Sequence, residues 1–246
     1  MTVAVLGGGL VTAGAGARDT PRTAPAARAP GTARTAAPRP AAPAGQPLAV
    51  LLGDHVVRSR PDASAPRIGA VGARRPLTHV RTRLPVLGEA TAPGGGPWLH
   101  VRLPGRPNGH AGWISADRTR RITTPWRITV RLSERLVTVA RNGRVEGRFR
   151  AVVGGSKTPT PVGHGFIEER LAVSGAGAPY ALAASARSHV FQEFGGGDGQ
   201  IALHGTTGIA GALGTAVSHG CVRLSPRAMH WLAKRIRPGV PLVVEK

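Results

Sequence analysis

From Leu48 to Arg121 the apolar residues come only in short pieces: LAVLL, RIGAV, LTHV, LPVLGEA, WLHVRL and GWIS. Gly, Pro or Asp breaks them every eight to twelve residues, which is the rhythm of a small β-barrel or sandwich. Trp98-Leu99-His100-Val101-Arg102-Leu103 alternates as a half-buried strand should, and Pro107-Asn108-Gly109 turns into Ala111–Ile114 to make a hairpin. One face per strand over residues 48–121 fits an SH3-like β-barrel. It holds no acid pair and no nucleophile, so its expected role is binding or packing.

Thr124-Pro125 marks a boundary, after which residues 125–246 form a second unit. Arg127–Leu132, Arg135–Arg141 and Arg144–Val153 read as strands, the last two joined by Asn142-Gly143, the strongest short hairpin signal. Further strands are expected at Gly165–Glu169, Tyr180–Ala184, Gln200–His204 and Val240–Val244. One helix is expected, over Pro226–Arg237. Ser225 serves as its N-cap and Pro226 as its first residue, with Met229, Leu232, Ala233 and Ile236 on one face. The fold class is therefore all-β: an SH3-like barrel, then a β-sandwich-like domain with one short helix.

No run approaches the ~18 to 20 apolar residues of a spanning helix, so no transmembrane domain is expected. Residues 1–17 read as a truncated signal sequence. An apolar stretch runs from Val3 to Val11, Ala15-Gly16-Ala17 supplies a small-residue cleavage site, and the usual basic start is missing. Residues 18–47 are an Ala/Pro/Arg linker too poor in apolar surface to offset its ordering entropy. The chain is expected to be exported. The net charge of +21, from 33 basic and 12 acidic residues, favours anionic partners such as cell-wall polymers. The basic residues are scattered and no recognition helix, zinc finger or stacking motif accompanies them, so nucleic acid is not expected.

The single cysteine, Cys221, permits no internal disulfide and no cysteine-rich zinc framework. It sits in Ser218-His219-Gly220-Cys221, downstream of a strand that ends in His204-Gly205. A thiol is only a few per cent ionised at neutral pH, and a nearby imidazole can serve as its base. Glycines at 205 and 220 let the backbone approach a substrate, and the amides around Cys221 are natural donors to an oxyanion. No Asp or Glu lies between Asp198 and Glu245, so a backbone carbonyl is the expected partner orienting the histidine. Two other readings of these residues are a buried structural pair and a zinc site of His204, His219 and Cys221. The zinc reading lacks the acidic general base a metal hydrolase would want.

His204-Gly205, the spacer to Val217 and then SHGCVRL resemble the active-site signature of the L,D-transpeptidase catalytic domain of bacterial cell-wall enzymes. Thr158-Pro159-Thr160-Pro161-Val162-Gly163, Tyr180-Ala181-Leu182 and Phe194 through Gly205 extend the resemblance across residues 125–246. The resemblance implies Cys221 as nucleophile, His204 as general base and later acid, and the Gly205 carbonyl as its orienting group. It implies support from His219, an oxyanion hole at Gly220, and substrate contacts from Ser218, Arg223 and Tyr180. It further implies peptidoglycan stem peptides as donor and acceptor, 3→3 cross-links through a thioester, carbapenem-type inhibitors, an extracytoplasmic, wall-associated location, and no cofactor or metal. An L,D-carboxypeptidase using the same dyad and a catalytically idle wall-binding protein are the alternatives.

Overall fold

The structure is a computed structural model that describes residues 45–193 and 197–246. The signal sequence expected over residues 1–17, nearly all of the linker over 18–47, and Phe194 lie outside the described residues.

The first sheet is built from β1 (Gln46–Leu51), β2 (His55–Arg58), β3 (Arg67–Val71), β4 (Arg83–Thr91), β5 (Pro97–Arg102), β6 (Ala111–Ser115) and β7 (Thr119–Thr124). Its order is β3-β2-β6-β5-β4-β1-β7, antiparallel throughout. Leu48 to Leu51 are all buried, and β1 pairs on both edges, with β4 and β7. Pro107-Asn108-Gly109 lies in the turn between the paired strands β5 and β6. Thr124 ends β7, and Pro125 alone separates it from the strand that follows.

The second part comprises β8 (Trp126–Arg131), β9 (Leu136–Arg141), β10 (Arg144–Arg150), β11 (Val153–Gly154), β12 (Gly163–Ala172), β13 (Tyr180–Arg187), β14 (Gln200–Gly205), β15 (Ala216–Ser218), β16 (Val222–Leu224), helix α1 (Pro226–Arg235) and β17 (Pro241–Glu245). Eight strands form a sheet in the order β10-β9-β8-β17-β12-β13-β14-β16, and β11 pairs β15 separately. The β9–β10 turn places both Asn142 (φ 48°) and Gly143 (φ 77°) in the left-handed region, as a type I′ hairpin requires. Helix α1 begins as its sequence dictates, with the Ala228 amide donating to Ser225 Oγ at 3.2 Å. It stops two residues early, because Ile236 takes an extended conformation and serves as the C-cap while its side chain remains buried. Ala228, Met229, Leu232 and Ile236 pack against Leu182, Leu203, Val222 and Leu224, so the helix covers one face of β13, β14 and β16.

Strand β12 explains how the two parts meet. Ile167 belongs to the core under the helix, whereas its neighbour Phe166 belongs to the core of the first sheet, with Leu84, Leu99, Val101 and Ile114. Buried Glu168 pairs with Arg75 from the first part and, at 2.9 Å, with Arg187 from the second. Glu169 accepts from Thr78 Oγ1 at 2.6 Å and from the Thr78 amide at 2.8 Å. The described residues fall within one compact unit. They are mostly β with one short helix, so the all-β reading holds.

Candidate active site

Strands β14 and β16 are parallel, with Leu203 opposite Val222 and His204 opposite Arg223. A parallel pair needs a crossover, and here residues 206–221 supply it, ending in the Ser-His-Gly-Cys turn. The register places Cys221 beside Ala202, whose backbone hydrogen-bonds the thiol. Side chains alternate along a strand, so Ala202, His204, Cys221 and Arg223 share the face away from helix α1. Cys221 and His204 are offset by two residues, ~7 Å of strand axis.

His204 Nδ1 lies 2.9 Å from the Gly205 carbonyl. A carbonyl can only accept, so Nδ1 carries the proton and Nε2 of the neutral ring keeps its lone pair. Gly205 is forced by sterics: a Cβ there would sit 1.7 Å from the Ala178 carbonyl oxygen. On the other side, the Gly177 backbone closes on the imidazole so tightly that a Cβ would lie 3.1 Å from Nδ1.

The Ser-His-Gly-Cys turn is held from three directions. Ser218 Oγ donates to the Cys221 carbonyl at 2.5 Å and accepts from the Gly220 amide at 3.1 Å. Thr158 Oγ1 donates to the Ser218 carbonyl at 2.9 Å, and Thr160 Oγ1 to the Gly220 carbonyl at 2.8 Å. Gly220 has φ +116°, a conformation side chains resist. The two threonines of the TPTP loop thus brace the turn that presents the thiol. Residue spacing gave no sign of this role, because the two segments are sixty residues apart. Cys221 and His219 line a small pocket with Ser188, Phe191, Gly199, Gln200 and Ile201, and the Phe191 ring meets His219 edge-on at 5.9 Å.

Residues 125–244 match the family model of the L,D-transpeptidase catalytic domain, YkuD. This stretch belongs to that family. Solved structures similar to the chain include an L,D-transpeptidase from Mycobacterium smegmatis, at 17% identity and TM-score 0.41, covering 66% of this chain and 99% of that one. Another is an L,D-transpeptidase from Mycobacterium tuberculosis H37Rv, at 16% identity and TM-score 0.46, covering 67% and 90%. A third, L,D-transpeptidase 3 from Mycobacterium tuberculosis in complex with a faropenem-derived adduct, shares 16% identity with TM-score 0.44, covering 61% and 91%. No curated protein matches the chain.

Within this L,D-transpeptidase domain the expected site residues are not all brought together. Cys221, His204 and Arg223 share one face. Tyr180 stands on the helix side of β13, edge-on to His230 at 5.4 Å, two residues from Leu182 in the core. Ser218, expected to touch substrate, is buried and fastens the turn. The Gly220 amide, expected at the oxyanion, is taken up by Ser218. Arg223 Nη1 donates to the Ala210 carbonyl at 2.7 Å, tying down the crossover loop, while its buried Nε has no partner among the described residues.

The electrostatics set the resting state. Burial pushes the Cys221 thiol above its ordinary value, against the hydrogen bond from Ala202 and the Arg223 charge, which pull it down. Burial likewise lowers His204; the Gly205 carbonyl opposes this, and the Arg223 charge adds to it. Among the described residues no group of three or more His, Cys, Asp or Glu could hold a metal ion. No helix among them is long and apolar enough to cross a membrane.

Proposed function

We propose that the protein is a peptidoglycan L,D-transpeptidase acting through a thioester on Cys221. The observation that carries this reading is the shared face of β14 and β16. It supports Cys221 and a His204 whose Nδ1 is fixed by the Gly205 carbonyl, leaving Nε2 as the base. His204 takes the thiol proton as sulfur attacks the carbonyl joining the third residue of a stem tetrapeptide to its terminal D-alanine. The tetrahedral oxyanion is met by the Cys221 amide, since the Gly220 amide is engaged. Collapse breaks the C–N bond, His204 returns the proton to the departing D-alanine amine, and a thioester remains. The side-chain amine of a neighbouring stem then attacks the thioester and loses a proton to His204. This leaves a 3→3 amide and the free thiol. Arg223 favours the thiolate as it forms and keeps His204 neutral, the form a base requires.

The family's chemistry and the chain's charge support a wall-associated, extracytoplasmic location, with anionic wall polymer as a further contact. The reaction is tested with purified disaccharide tetrapeptide, by mass spectrometry of products. D-alanine together with a 3→3 dimer supports the transpeptidase. D-alanine without dimer makes the enzyme an L,D-carboxypeptidase. Neither product, with an unreactive Cys221, makes it an idle wall-binding protein.

A further inference from the structure

The turn between β5 and β6 belongs to the first sheet, yet its side chains end on the loop that walls the Cys221 pocket. Arg106 Nη2 donates to the carbonyls of Ser188 and Phe191, each at 2.9 Å, and Nη1 to the Asp198 carbonyl, also at 2.9 Å. One guanidinium therefore bridges the start and the end of the connection between β13 and β14. Two residues on, Asn108 acts as a surrogate strand: its Nδ2 donates to the Arg187 carbonyl and its Oδ1 accepts from the Arg187 amide, both at 2.7 Å. The Gly105 amide donates to the Ser185 carbonyl at 3.0 Å. Arg187 in turn binds Asp198 at 2.6 Å and Glu168 at 2.9 Å.

Ser188, Phe191 and Gly199 line the pocket that holds Cys221 and His219. The Phe191 carbonyl accepts from Arg106 while the Phe191 ring packs on His219. Resting on the assignment of Cys221 as nucleophile, we propose that Arg106, with Asn108, is a positioning residue for the reaction. From outside the catalytic domain it fixes the wall against which the acyl donor is seated. A carbonyl-only recognition site suits Arg: its planar fork reaches several acceptors at fixed angles, which a Lys ammonium cannot reproduce.

The test compares two reagents on the full chain. Carbapenem acylation needs a seated donor, whereas iodoacetamide reads the thiol alone. Arg106→Ala is expected to slow carbapenem acylation by about tenfold to a hundredfold, the scale of an ångström-level misplacement. Its iodoacetamide rate and melting temperature should stay close to the parent's. Arg106→Lys should fall between, and Asn108→Ala should repeat the pattern if Arg106→Ala folds poorly. Arg144→Ala, an exposed arginine in β10, should match the parent. Parent-like acylation in both Arg106→Ala and Asn108→Ala overturns the inference alone, as do equal losses toward both reagents, which mark a merely structural role. A parent chain that forms no adduct overturns the functional reading, and this inference with it.

Discussion

At neutral pH the two groups that exchange a proton in the proposed reaction are both held uncharged. Burial pushes the Cys221 thiol above its ordinary value and the His204 imidazole below its own. Across the neutral range the pair is a thiol and a free base, so in the proposed reaction the proton moves during attack and not before it. His204-assisted acylation should therefore be level across neutral pH and fall only in acid below the ordinary imidazole range, once His204 is protonated. His204→Ala should lose about 10² to 10⁴ of the neutral rate, the usual worth of general acid–base help. What remains should climb with pH, because only pre-formed thiolate can react. His219→Ala should lose less. Carbapenem acylation rates from pH 5 to 10 for the three proteins decide the matter: a larger loss in His219→Ala would exchange the two roles.

At the scale of elements, the site depends on where backbone can come close to backbone. Gly205→Ala places a Cβ on the Ala178 carbonyl and displaces the oxygen that orients His204. Overpacking of this kind costs roughly 1 to 3 kcal/mol. A urea midpoint lowered accordingly, with slowed acylation, is expected; an unchanged midpoint would mean the 176–179 segment yields freely. The sequence made some of this legible. Asn142-Gly143, the alternation in β9 and the Ser225-Pro226 helix start are local signals, fixed by near neighbours, and they appear where they were read. The short strands β15 and β16 were missed, since three residues carry no period and pair only through distant partners. Pro238-Gly239 as the stop, with Ile236 on the apolar stripe, carries the expected helix to Arg237, but Ile236 is buried from extended backbone. Cys221 and His204 stood out by type and spacing. Arg106 did not, nor did the bracing role of Thr158 and Thr160, because these depend on carbonyls far along the chain.

At the scale of the whole molecule, strand β12 of the L,D-transpeptidase domain lends Phe166 to the core of the first sheet. Phe166→Ala empties a buried site in the first sheet's core and should cost about 3 to 5 kcal/mol. Because Ile167 and Glu168 bind the same strand into the second part, both halves should lose stability together. The tryptophans report this separately, Trp98 and Trp113 in the first sheet and Trp126 and Trp231 in the second. Fluorescence of Trp→Phe variants should give coincident unfolding transitions; two resolved midpoints would show that the halves melt independently. The charge of +21 belongs to the same scale. If it attaches the protein to anionic wall polymer, sedimentation with purified sacculi should fail as the Debye length shrinks from ~10 Å at 0.1 M salt to ~3 Å at 1 M. Sedimentation that ignores salt would remove the electrostatic account.

The central claim is that Cys221 is an acyl-accepting nucleophile. A hydroxyl in its place has nearly the same volume but a far higher pKa, and a lone imidazole activates it poorly. The direct measurement is intact-mass spectrometry of the full chain after exposure to a carbapenem, followed by peptide mapping. The account predicts one adduct per chain, carried on Cys221 and absent from a folded Cys221→Ser variant. A parent chain without an adduct, or a Cys221→Ser variant that still acquires one, would contradict it.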